Sequence, residues 1–282
     1  MAGLRATFRV LDVVAPRVGA AKAMDLWCTL PGNAGRRKDF RPYDGERTTL
    51  PAPRGGHVAI ESWGSGPVVY LVHGWGGWRG QLGAFVEPLV EAGFQVVGFD
   101  APGHGDADES VMGEGRGTIM ELMEAFEVVG AAFGPADGVI AHSLGCTASA
   151  LVVEASVPAR SLVLLAPNSD VIDITYEFAA ALGFTERTRG HLQAIMEEFC
   201  ERPLHAFDLR PLGADGSMPD ALVVHDRSDK ETPFEVGASL AGAWPNATFH
   251  PTDGLGHQRL LADPSTIARA VQHLAGARSA QA

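Results

Sequence analysis

The stretch that most limits what this chain can fold into is Val139-Ile140-Ala141-His142-Ser143-Leu144-Gly145, with Cys146-Thr147-Ala148-Ser149-Ala150 behind it. A short apolar run enters a sharp turn and leaves as a helix of small residues, with a serine at the apex. Strand and helix backbones nearly touch at such a turn, so the positions two before and two after the serine must be small. Ala141 and Gly145 occupy them. The turn lifts one hydroxyl clear of the sheet, and the positive end of the following helix favours negative charge developing beside it.

The rest of the chain has the periodicity that such a turn requires. Runs at 57–63, 68–72, 95–99, 139–141, 162–165, 222–224 and 248–250 are short, apolar or β-branched, and bounded by Gly, Pro or Asp, as strands are. Helical spacing fills 81–91, 118–133, 144–154, 235–243 and 264–274, the last with Asp263 as N-cap and Pro264 at its first position. Strands alternating with helices predict a mostly parallel sheet covered on both faces, with the ligand beyond the carboxyl ends of the strands. Between 165 and 222 no strand pattern appears, and helical spacing at 171–182 and 187–199 carries Phe178, Phe184, Leu192, Met196 and Phe199.

At the N-terminus, Leu4, Phe8, Leu11, Val14 and Val18 recur at helical spacing among Arg5, Arg9, Asp12 and Arg17. The charges exclude a secretory core and a membrane span, and predict one amphipathic helix over 4–30. Gly35-Arg36-Arg37-Lys38 follows as a solvated basic connector. A length of 282 residues suits one α/β domain with an insertion. The net charge of -12 disfavours nucleic acid and anionic membranes, and fits a small-molecule partner and a monomer or homodimer. Cys28, Cys146 and Cys200 are too scattered for a metal cluster or a disulfide framework, which fits a reducing cytoplasm.

The small-x-Ser-x-Gly turn resembles the nucleophile elbow of the α/β-hydrolase superfamily of serine hydrolases, with Ala141 where Gly is usual. Three further stretches carry the resemblance, in the superfamily's order, over roughly residues 45–278. His73-Gly74-Trp75-Gly76-Gly77-Trp78 is similar to its oxyanion loop, and neither a P-loop ending nor dinucleotide glycine spacing is present. Asp100-Ala101-Pro102-Gly103-His104-Gly105 is similar to a turn beside the elbow, where Asp100 and His104 read as scaffold. His225-Asp226-Arg227-Ser228-Asp229 resembles the loop bearing the acid, with Asp229 favoured over Asp226, and Gly254-Leu255-Gly256-His257 the loop bearing the base.

The resemblance implies an α/β-hydrolase fold with an N-terminal helical extension at 1–44, the hydrolase domain at 45–282 and a helical cap inserted at 168–219. It implies Ser143 as nucleophile, His257 as base, Asp229 as acid, and the backbone N–H groups of Trp75 and Leu144 as oxyanion donors. No metal or organic cofactor is expected. The expected activity is hydrolysis of a carboxylic ester or thioester of a mainly apolar small molecule, the indoles of Trp75 and Trp78 lining the pocket. Acyl transfer, C–C bond hydrolysis and a non-catalytic ligand-binding protein are the alternatives; haloalkane dehalogenation would need a carboxylate at 143.

Overall fold

A computed structural model describes residues 2–32, 38–169 and 171–279, so the connector at 35–37 lies outside the described residues. In chain order the elements are α1 (Ala2–Val14), α2 (Pro16–Trp27), β1 (Glu46–Pro51), β2 (His57–Trp63), β3 (Val68–Val72), α3 (Val86–Glu91), β4 (Gln95–Asp100), α4 (Ile119–Phe133), β5 (Gly138–His142), α5 (Leu144–Ala155) and β6 (Ser161–Leu165). Then come α6 (Val171–Leu182), α7 (Glu186–Cys200), α8 (Leu209–Leu212), β7 (Asp220–Asp226), α9 (Phe234–Ala243), β8 (Ala247–Thr252), α10 (Gly256–Arg259) and α11 (Pro264–Ser279). The helix expected at 81–91 begins as a 3₁₀ turn, Arg79–Phe85, before α3. Two compact units result: one from Leu30–Ser169 and Leu209–Ala282, the other from Met1–Thr29 and Asp170–Asp208.

The larger unit is built on a sheet in the order β1-β2-β4-β3-β5-β6-β7-β8, antiparallel at β1/β2 and β2/β4 and parallel throughout the rest. Strands β3, β5 and β6 are buried along their whole length, as strands covered on both faces must be. The chain steps from β3 to β4 on one side and returns across β3 to β5 on the other. The carboxyl ends of β3 and β5 are therefore the switch point of the sheet, the place where doubly wound sheets bind ligands. Register completes the placement. Val72 pairs with Ala141, His142 with Leu165, Leu165 with Val224, and Asp226 with Thr252, so the loops after these five strands emerge side by side at the carboxyl end of the sheet.

The smaller unit joins the N-terminal helices to the helices between β6 and β7. The expected single helix is two, because Pro16 cannot continue the hydrogen-bond ladder of α1. The apolar stripe expected from the sequence is buried only in part, with Leu4 and Leu11 half-buried. Phe8 and Asp12 are buried, while Val10, Val13, Val14 and Val18 are half or more exposed. Asp12 accepts from Thr185 Oγ1 at 2.8 Å and from the N–H groups of Thr185 and Thr188 at 3.1 and 3.2 Å, capping the start of α7 from another helix. The free N–H groups and positive end of α7 draw the carboxylate inward and so set which face of α1 is covered. Phe8 lies against Phe184 at 5.5 Å and Trp27 against Phe178 at 5.2 Å. Phe178 and Phe184 are thus packing residues of this unit, covered by the N-terminal helices. Residues 209–219 group with the sheet rather than with these helices.

Candidate active site

Ser143 sits between β5 and α5 at φ 53° and ψ −121°, a backbone conformation that costs a non-glycine residue roughly 1–3 kcal/mol and persists only where its surroundings hold it. Those surroundings are visible. Ser143 N donates to Leu165 O at 2.9 Å, and Ser143 O accepts from Cys146 N at 3.0 Å. A Cβ on Gly145 would lie 2.4 Å from His73 O and 2.8 Å from Val72 O, so α5 starts in backbone contact with the end of β3. The first helical residue is Leu144, whose N–H has no acceptor inside the helix.

The loop after β3 crosses directly over this turn. A Cβ on Gly74 would come within 2.9 Å of both Ser143 Cβ and His142 O, which places the following Trp75 backbone beside the serine. His73 anchors the loop. Its Nε2 accepts from Ala101 N at 3.3 Å, so its Nδ1–H donates to Gly74 O at 2.8 Å, and burial lowers its pKa to about 4. His104 packs on it at 4.7 Å and is pushed down to about 3, again by burial. Asp100 serves the scaffold as expected: with Glu61 and Asp106 it pairs the buried Arg79 guanidinium, and it also accepts from the N–H groups of Arg79 and Asp106.

Only part of the expected aromatic wall stands at the loop. Trp75 is half-buried, its indole 5.9 Å from His104. Trp78 is buried beneath the Arg41 and Arg79 guanidinium groups at 5.1 and 5.7 Å, so it is spent on packing the ion cluster instead of facing a ligand.

Asp229 and Asp226, alternatives in sequence, have different partners. Asp229 Oδ2 lies 2.7 Å from His257 Nδ1, while Oδ1 accepts from the N–H groups of Glu231 and Thr232 at 2.8 and 2.9 Å. Burial works against the charge of Asp229, but hydrogen bonds from His225, His257 and Thr232 N–H outweigh it and hold the carboxyl well below the usual range. Asp226 is wholly buried and ties down the loops instead. It accepts from Thr252 Oγ1 at 2.8 Å and from the N–H groups of Leu255 and Ser228, each at 2.9 Å. It thereby anchors the segment that carries His257 without touching the imidazole.

Three residues bear on this site without a sequence signal for it. His142 lies with its ring 4.7 Å from that of His257, and its Nε2–H donates to His257 O at 3.0 Å. Burial lowers its pKa to about 3, so it acts as a neutral donor. This contact brings the backbone of His257 against the residue preceding Ser143. His225 lies on the far side of Asp229, 3.4 Å from Oδ2. Glu231, exposed, has Oε2 3.9 Å from His257 Nε2, the ring nitrogen turned away from Asp229. Adjacency to the elbow and the acid in sequence was the available hint for the first two. Among the described residues no cluster of His, Cys, Asp or Glu is arranged to hold a metal ion, and no helix is long and apolar enough to cross a membrane. Cys28, Cys146 and Cys200 are all buried.

Residues 67–189 match a family model described as alpha/beta hydrolase fold. No curated protein matches the chain in sequence. Among solved structures the chain is similar to an esterase from Exiguobacterium antarcticum, at 16% identity and a TM-score of 0.61, covering 81% of this chain and 99% of that one. It is similar also to a putative lipase from Acinetobacter baumannii, at 18% identity and a TM-score of 0.62 over 84% and 93% of the two chains. A hydrolase from Pseudomonas aeruginosa stands at 20% identity and a TM-score of 0.62, over 82% and 99%. At these identities the likeness is one of fold.

Proposed function

We propose that this chain, which has the α/β-hydrolase fold, is a serine hydrolase that cleaves a carboxylic ester or thioester of a mainly apolar small molecule. The observation that carries the reading is the 2.7 Å pair of Asp229 and His257, held through His142 against a serine at a strained turn. Ser143 Oγ attacks the acyl carbon while His257 Nε2 takes its proton. Asp229 keeps the Nδ1–H tautomer and stabilises the imidazolium. The oxyanion is met by the N–H groups of Leu144 and Trp75, each donor contributing about 3 kcal/mol in enzymes of this logic. The imidazolium then protonates the leaving alcohol or thiol, and the acyl–serine ester remains. Water, deprotonated by His257, hydrolyses that ester and restores the serine. Each step uses groups of this chain, and the half-buried Trp75 offers an apolar surface to the substrate.

The test is labelling with a fluorophosphonate, followed by kcat/KM over p-nitrophenyl esters from acetate upward. Labelling should disappear in Ser143→Ala with the fold intact; persistent labelling of that variant overturns the assignment. Each buried methylene contributes about 0.8 kcal/mol, so kcat/KM should rise several-fold per added carbon until the pocket is full. A flat profile overturns the apolar-substrate part alone.

A further inference from the structure

The acid loop contains a second imidazole that the triad does not use. His225 is the penultimate residue of β7 and is wholly buried. Its Nε2 lies 3.1 Å from Thr232 O and 3.4 Å from Asp229 Oδ2. Both neighbours can only accept, so Nε2 must carry the proton. The other nitrogen, Nδ1, is buried without a hydrogen-bond partner among the described residues. It faces the backbone of α9, where a Cβ on Gly237 would come within 2.4 Å, so a proton there would be an orphaned donor. The tautomer is therefore fixed at Nε2–H by its surroundings.

The consequence for Asp229 follows from counting donors. Oδ1 takes the N–H groups of Glu231 and Thr232, while Oδ2 takes His257 Nδ1–H on one side and faces His225 Nε2–H on the other. Thr232 closes the arrangement, since its N–H holds Asp229 while its C=O accepts from His225. Rotation of the carboxylate would break contacts on both oxygens together. A core-filling role would need only the ring, and its edge contact with Phe234 at 6.0 Å would satisfy that. Two acceptors on one nitrogen require the N–H.

We propose that His225 is a positioning residue for the hydrolytic reaction: its Nε2–H fixes the orientation of the Asp229 carboxylate and of the loop up to Thr232, so that Oδ2 meets His257 Nδ1 in line. The inference rests on the Ser143–His257–Asp229 reading above.

The experiment compares His225→Phe, which keeps a ring of similar size without the N–H, with His225→Gln, whose amide N–H reaches the same place. In His225→Phe, kcat on a p-nitrophenyl ester should fall 10- to 100-fold with KM within about twofold, and the fluorophosphonate labelling rate should fall by a similar factor. His225→Gln should recover kcat to within about fivefold of the parent. A folded His225→Phe with kcat within twofold of the parent overturns the proposal, as does equal impairment of both variants. Should His225→Phe fail to fold, nitrogen NMR of the parent protein decides. His225 should be the Nε2–H tautomer, and its Nε2 resonance should move in Asp229→Asn; an Nδ1–H tautomer or an unmoved resonance overturns the inference. The NMR result does not depend on catalysis, so persistent labelling of Ser143→Ala would remove the triad reading and leave the His225–Asp229 contact separately measured.

Discussion

Lowering the pH from 7 to 5 should destabilise this protein by several kcal/mol, and the cause lies in three buried histidines around the elbow. His73, His104 and His142 have folded pKa values of about 4, 3 and 3, all lowered first by burial, against 6.5 for an exposed imidazole. The folded values lie below the unfolded one, so between them the unfolded chain binds protons that the folded chain refuses. Stability therefore rises with pH through this window and is lost as pH falls below 6.5, levelling only near pH 3 to 4. Integrating the linkage for one such group gives about 2 kcal/mol between pH 7 and 5, hence about 6 kcal/mol for three, offset by about 1 kcal/mol from Asp100, whose carboxyl burial pushes up to about 6, against a total stability of roughly 5–15 kcal/mol for a domain. Asp229 adds a later loss. Its folded pKa lies well below the usual carboxylate range, so the stability it contributes is present above that range and is lost as pH falls through it. The assay is urea unfolding followed by tryptophan fluorescence at pH 7, 6 and 5. His104→Gln should remove about a third of the pH dependence, whatever it does to stability at pH 7. A midpoint that is flat or rises from pH 7 to 5, or an unchanged slope in His104→Gln, would refute the reasoning.

Asp229→Asn should lower kcat by about four orders of magnitude by favouring the wrong tautomer of His257. Asp226→Asn should instead lower the melting temperature, with a loss of about 1–3 kcal/mol from its buried donors and a kcat change under tenfold; the reverse ranking of the two kcat values would exchange their roles. Gly145→Ala should destabilise by about 1–3 kcal/mol and slow fluorophosphonate labelling, because its Cβ would press on His73 O at 2.4 Å and displace the loop carrying Trp75. Unchanged thermal unfolding of that variant would mean the helix start has room to move. Glu231→Gln should raise kcat/KM several-fold for esters with a carboxylate near the leaving group and leave neutral esters within twofold, since Glu231 Oε2 stands 3.9 Å from His257 Nε2. Equal effects on both substrates would count against an electrostatic role.

What the amino-acid order determined by itself is what local rules encode. The period-2 and helical patterns set the strands and helices of the sheet, and the small residues Ala141 and Gly145 marked the tight turn at Ser143 because no larger side chain fits there. Gly74 likewise marked where one backbone must pass close to another. Tertiary structure decided the rest, because it depends on which distant groups share a buried volume. The pairing of Asp12 with α7 spans more than 170 residues and buries a carboxylate beside Phe8, on the face its apolar stripe suggested, while Val14 stays exposed. Trp78, expected at the pocket wall, instead lies under the guanidinium groups of Arg41 and Arg79. What separates Asp226 from Asp229 is the donor each takes from the neighbouring strand and beyond, Thr252 and Leu255 for the one and His257 for the other, which the β7/β8 register brings alongside. A buried carboxylate or imidazole must find its hydrogen bonds wherever the packed chain offers them. No pattern along the sequence states where that is.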